Sequence, residues 1–164
     1  MTNQVAIHIP PDFAERYPGA SPKATELAMN LVHTADMLVK RIAEVLQPFG
    51  VTPSSALVLG ILADADAPLP PHQIAERLII SRATVTGLLD SLERRGYVQR
   101  RPHASDRRML LIQLTEAGRQ AAQTFRLLVH QHQKAWLAAL SEREQDQLIA
   151  ALHGLQATLT DTTA

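Results

Sequence analysis

Residues Ser81 to Gly96 read SRATVTGLLDSLERRG, and the fold turns on how this stretch is read. At about 100° per residue, Val85, Leu88, Leu89 and Leu92 fall on one side of a helix. Ala83, Gly87, Asp90 and Arg94 lie opposite, flanked by Thr84 and Thr86. Ser81 is placed to cap this helix and Gly96 to stop it. One face is therefore apolar and suited to a core, and the other is small and polar. Small residues let a helix sink into the major groove of DNA, where hydroxyls and an arginine meet phosphates and base edges. The first backbone N–H groups favour a phosphate as well. The plainer reading is a surface helix with a small outward face. Gly87 weighs against it, because a mid-helix glycine costs about 1 kcal/mol relative to alanine.

The neighbouring stretches extend this reading. PHQIAERL (Pro71 to Leu78) predicts a short helix just ahead, which makes a helix–turn–helix. Tyr97 to Arg101 and Met109 to Leu114 read as strands joined by the polar loop PHASDRR, residues 102 to 108. The lobe is thus a winged helix-turn-helix by pattern. Arg107 and Arg108 sit at the tip of the hairpin, where guanidinium groups can enter the negative potential of a minor groove. Asp106 can orient Arg108 by a charge-assisted hydrogen bond. A solvated charged tip is the alternative. From Leu69 to Leu114 eight arginines stand against four carboxylates, a net +4, and no lysine occurs there. The whole chain has 16 basic and 16 acidic residues, so the remainder carries −4. A basic lobe on an acidic body is the footprint of a DNA binder whose body does something else.

Around the lobe the chain is helical. Ser21 caps and Pro22 opens a helix running to about Phe49, with Leu27, Leu31, Ala35, Leu38, Ile42 and Val45 in one stripe. Thr52 caps a second, nearly all-apolar helix from Pro53 to about Ala63, and a turn-rich connection follows to Pro71. Thr115 caps a long helix predicted from Glu116 to Leu140. Ser141 with Glu144 forms a capping box for the last helix, which reaches about Leu159. The expected organisation is an N-terminal arm at 1–20, N-terminal helices of a dimerisation body at 21–66, a winged lobe at 67–115 and C-terminal dimerisation helices at 116–164. The class is mostly α with a small β-wing. The arm is broken by Pro10, Pro11 and Pro18, yet carries Val5, Ile7 and Ile9 in extended alternation, which need a surface such as a partner subunit.

Composition narrows the function. Of 164 residues 46% are hydrophobic, which is enough for a core. There is no cysteine, so disulfide scaffolds, cysteine zinc sites and thiol sensing are excluded. No run approaches the ~18 apolar residues of a membrane span and the N-terminus has no signal-peptide pattern, so a soluble cytoplasmic protein with no membrane partner is expected. No HExxH, GxSxG, P-loop or GxGxxG motif occurs, and an enzyme is not expected. His130 and His132 diverge on a helix and are poor co-ligands, so neither metal nor cofactor is expected.

The runs QIAERL, SRATVTGLLDSLERRGYVQR and SDRRMLLIQLTEAG together resemble the MarR/SlyA family of bacterial transcription regulators. The likeness is strongest from Pro71 to Gly118, and the element order extends it over 21–160. The distinctive wing pattern is Asp106, Arg108, Leu114, Thr115 and Gly118. The resemblance implies a homodimeric, sequence-specific regulator of transcription on double-stranded DNA, a repressor released by a small ligand such as an aromatic acid or phenol. A two-fold dimer implies a pseudo-palindromic operator with half-sites about one helical turn apart. The resemblance assigns base reading to Ser81, Arg82, Thr84 and Thr86, and minor-groove contact to Arg108 with Arg107 and Asp106 beside it. Phosphate contacts fall to His72, Gln73 and Arg101. A ligand site between body and lobe implicates His33, Met37, Arg41 and Leu57, although each taken singly reads more simply as an ordinary core or surface residue. The competing reading is a dimeric winged-helix interaction or ligand-binding module that does not read DNA sequence.

Overall fold

A computed structural model describes residues 6–102 and 109–161. Its elements in order are α1 (Phe13–Arg16), α2 (Pro22–Leu46), α3 (Pro53–Ala63), α4 (Pro71–Leu78), α5 (Arg82–Arg94), β1 (Val98–Pro102), β2 (Leu110–Leu114), α6 (Glu116–Trp136) and α7 (Glu142–Asp161). The chain divides into two compact units, one through Ala122 and one from Gln123.

In the first unit the core is built by α3, α4, α5 and the hairpin. Val58, Leu59, Ile74, Val85, Leu89, Leu92 and Ile112 are all buried, as is Leu46 at the end of α2. The apolar side expected of the helix after Ser81 is the side that packs inward. Ser81 and Thr52 cap as expected, each side chain accepting the N–H three residues on. The two strands pair antiparallel, with Val98 opposite Leu114 and Pro102 opposite Leu110. Leu69 adds a bridge on the other side of β2, exchanging both backbone hydrogen bonds with Ile112 at 3.0 and 2.8 Å. The turn-rich connection thus ends by pairing with the wing, which its composition did not announce.

Three expectations are corrected. The first strand starts at Val98, because Tyr97 closes α5 instead. Its N–H bonds to the Leu92 carbonyl, and the Gly96 N–H, at φ +72°, bonds to the Glu93 carbonyl. That pair of bonds is a Schellman closure with glycine at the left-handed position. Ile7 and Ile9 belong to no strand among the described residues, and the arm continues into the single turn α1. The Asn30 amide on α2 clamps Ile7 by two bonds, at 3.0 Å from its N–H and 2.7 Å to its carbonyl. Glu26 accepts the Ile9 N–H at 3.1 Å.

The third correction lies in the second unit. The long helix ends at Trp136, not Leu140. Residues 137–140 form a tighter turn whose Leu137 and Leu140 carbonyls accept from Gln145 Nε2 at 3.4 and 2.9 Å. The capping box itself forms as expected, with Glu144 accepting the Ser141 N–H at 2.8 Å. Leu148, Ile149, Leu155 and Leu159 on α7 are exposed. Among the described residues no single helix is long and apolar enough to cross a membrane.

Candidate nucleic-acid interface

The outward face of α5 is formed by Ser81, Arg82, Ala83, Thr84, Thr86, Gly87, Asp90 and Arg94, all exposed. The Ser81 hydroxyl accepts the Thr84 N–H at 3.1 Å and shares a 2.8 Å bond with its hydroxyl. Thr86 donates its hydroxyl proton to the Arg82 carbonyl at 3.0 Å, so toward a groove it presents lone pairs and a methyl group. Arg82 has no acidic partner among the described residues. A Cβ added at Gly87 would meet nothing within 4 Å, so no neighbour within the described chain requires glycine there.

The structure brings several of the expected residues together. His72, Ser81 and Arg82 line one shallow depression with Ile79 and Glu76. His72, Arg82 and Thr86 line a second with Pro70, Met109 and Leu110. Gln73 lies on a third, again beside His72 and Met109. Thus α4 contributes His72 and Gln73 to the rim, α5 contributes Arg82 and Thr86, and β2 closes the far side. Thr84 sits on the exposed first turn of α5 but lines none of these depressions. Arg101 is exposed on β1. With its amide oxygen turned toward them, Gln113 accepts from Arg101 at 3.1 and 3.2 Å and from Gln99 at 2.5 Å. Asp106, Arg107 and Arg108 lie outside the described residues.

The ligand candidates are not gathered by these depressions. Met37 and Leu57 are 46% and 60% exposed, and Arg41 is turned to Glu44 at 3.0 Å. His33 is half-buried, and its Nε2 is buried without a hydrogen-bond partner among the described residues.

Sequence reasoning missed two features. It counted Arg100 only as one of the eight lobe arginines and Asp90 as an outward polar residue, but the two are joined. Arg100 spans from β1 to α5, with one amino group 2.5 Å from Asp90 and the other 2.6 Å from Glu93. Its backbone N–H also donates to Glu93 at 3.3 Å. The Asp90 hydrogen bond, outweighing partial desolvation and helped by both carboxylate charges, raises the guanidinium pKa above its ordinary value. The second is the tie from the Thr115–Gly118 corner, whose cap was expected, to the end of α5. The Thr115 hydroxyl accepts the Gly118 N–H at 3.0 Å and donates to the Gly96 carbonyl at 2.6 Å. A Cβ at Gly118 would lie 2.8 Å from the Tyr97 carbonyl carbon and closer still to its oxygen. The LTxxG run therefore seats the first turn of α6 against the end of α5.

Comparison with known proteins agrees with this geometry. The MarR family model matches residues 49–109. The chain is 30% identical over 145 residues to the HTH-type transcriptional repressor YetL of Bacillus subtilis, covering 88% of this chain and 87% of that one. It is 31% identical over 138 residues to the transcriptional repressor MprA of Escherichia coli, covering 82% and 75%. Among solved structures, the Staphylococcus aureus MepR–DNA complex superposes with a TM-score of 0.75 at 25% identity, covering 80% of this chain and 96% of that one. A two-stranded wing beside an exposed, small-faced helix, in a chain whose relatives are regulators and not enzymes, has one reading: this chain belongs to the MarR family of winged helix-turn-helix DNA-binding transcriptional regulators.

Proposed function

We propose that the protein is a homodimeric repressor that reads a pseudo-palindromic operator. The observation carrying this reading is the gathering of Ser81, Arg82 and Thr86 on the exposed first turns of α5 with His72 of α4 beside them, next to a glycine that no described residue requires. Arg82 and Thr86 meet base edges, and Ser81 and Thr84 hold the first turn. His72, Gln73 and Arg101 meet phosphates, and Arg107 and Arg108 enter the minor groove. Gly87 lets the helix approach the groove floor. Leu27 and Val32 on α2, and Ile149 and Leu159 on α7, are each more than half exposed, and a second copy of the chain is the surface that covers them. The relatives named as repressors support repression over activation. An effector, an aromatic acid or phenol, would meet the His33 nitrogen that lacks a partner among the described residues, with Met37, Leu57 and Arg41 as the further candidates.

The test is anisotropy with DNA selected from a random pool, titrated at several salt concentrations. Binding on the order of 10⁻⁸ M that exceeds scrambled DNA by at least about 10³ supports the reading. Arg82→Ala should lose about tenfold or more on the selected site and little on scrambled DNA. Equal loss on both would place Arg82 on phosphate alone, and equal wild-type binding to both DNAs would overturn sequence reading.

A further inference from the structure

Both helices of the helix–turn–helix end in the same backbone motif, with very different residues at its key position. After α5 the left-handed position is Gly96, at φ +72°. After α4 it is Ile79, at φ 54°, ψ 45°. There the Ile79 N–H bonds to the Glu76 carbonyl and the Ile80 N–H to the Ala75 carbonyl, each at 3.2 Å, the two bonds of a Schellman closure. A β-branched side chain is the least suited to this conformation, and Ile79 is the only non-glycine at positive φ among the described residues. No described residue buries the side chain, since Ile79 is 89% exposed. A strained residue that packs on nothing within its own chain is a sign of function elsewhere. Ile79 stands two residues before Ser81 and shares a depression with His72, Ser81 and Arg82, and with Glu76 on the α4 side.

We infer that Ile79 is a DNA-contacting residue, whose side chain is buried against apolar C–H groups of the operator when the first turn of α5 enters the major groove. The inference rests on the DNA-binding reading above and adds a non-ionic contact to it. The apolar groups within reach are a thymine methyl at the groove edge and the deoxyribose edge beside it. The first reads sequence and the second does not.

The experiment compares the full-length wild type with Ile79→Asn, Ile79→Gly, Ile79→Val and Arg82→Ala, on the selected site and on the same site with uracil replacing each thymine in turn. Asn and Gly relieve the left-handed strain and remove the apolar contact, and Val keeps both. Ile79→Asn and Ile79→Gly should melt higher than wild type yet bind about tenfold more weakly. Their slope of log K against log salt should be unchanged, because no phosphate contact is lost. Ile79→Val should bind within about threefold of wild type. One thymine-to-uracil change that weakens the wild type and not Ile79→Asn would identify a methyl partner, and none would identify the sugar. If Ile79→Asn melts higher and binds like the wild type, the side chain has no role on DNA and the inference is overturned. If the wild type does not discriminate the selected site at all, the reading beneath it fails first and the inference falls with it.

Discussion

Replacing Arg100 with glutamine distinguishes a clamp from a DNA contact. The Arg100 side chain is 26% exposed, and those of its partners Asp90 and Glu93 are 51% and 38% exposed. A hydrogen bond to a charged group contributes about 1.5–3 kcal/mol when shielded, and an exposed ion pair about 0–1 kcal/mol. Two half-exposed pairs sharing one guanidinium therefore come to about 1–2 kcal/mol. For a chain of this length that is a fall in Tm of about 2–8 °C. Arg100→Lys should recover little, because a lysine cannot reach both carboxylates with the geometry of the fork. In a double-mutant cycle, Asp90→Asn should cost markedly less in the Arg100→Gln background than in the wild type. The salt slope of DNA binding should stay within about half a unit of wild type, since a lost phosphate contact shifts it by about one. An Arg100→Gln protein that melts with the wild type and shows a slope shallower by about one would refute the clamp and put Arg100 on the DNA.

Gly118→Ala drives a Cβ into the Tyr97 carbonyl, and because the obstacle is backbone it should cost about 1–3 kcal/mol by thermal or urea unfolding. Gly87→Ala is the converse, since nothing lies within 4 Å of the new methyl: the protein should gain up to about 1 kcal/mol of stability while losing DNA affinity. Hydrogen bonds from Ser141, its hydroxyl first and then its backbone N–H, hold the Glu144 carboxyl below the ordinary carboxylate value. A depressed carboxyl stabilises above its unfolded pKa, so Glu144→Ala should lower Tm at pH 7, and the deficit should fade below about pH 4.5 as the native carboxyl takes up its proton. Asn30→Ala removes both bonds to Ile7 and should make trypsin cleavage after Arg16 faster at unchanged global stability.

The order of elements was legible because each carries a local signal. Ser21, Thr52, Ser81 and Ser141 mark helix starts with side chains that reach only three residues ahead, so tertiary context had little chance to override them. The buried side of α5 was legible for the same reason, as a period of 3.6 within one helix. What stayed hidden depends on pairs distant in sequence or on backbone geometry. Leu69 is an ordinary leucine in a proline-rich connection until it meets Ile112. The end of α6 is set by Gln145, beyond the helix it limits. The closure of α4 was invisible because its signal residue, glycine, is replaced by Ile79.

The charge count shows the same limit more sharply. Four carboxylates against eight arginines gave the lobe +4, which treats every charge as equally available to DNA. Folding does not leave them so. Arg100 is drawn to Asp90 and Glu93, so one cation and two anions are tied into a single group that presents a net charge of −1. A Cβ at Gly50 would lie 2.7 Å from the Arg95 guanidinium carbon, so Arg95 is folded over the turn after α2. At the first turn of α5, Arg82 is left without an acidic partner among the described residues, next to His72 and the free N–H groups of the helix. In a medium where charges are screened within about 8 Å, that local arrangement steers a phosphate more than the sum over the lobe does. Two variants that each remove one arginine, Arg82→Ala and Arg100→Gln, therefore have the same net charge and different effects on DNA, which no count of residues can anticipate.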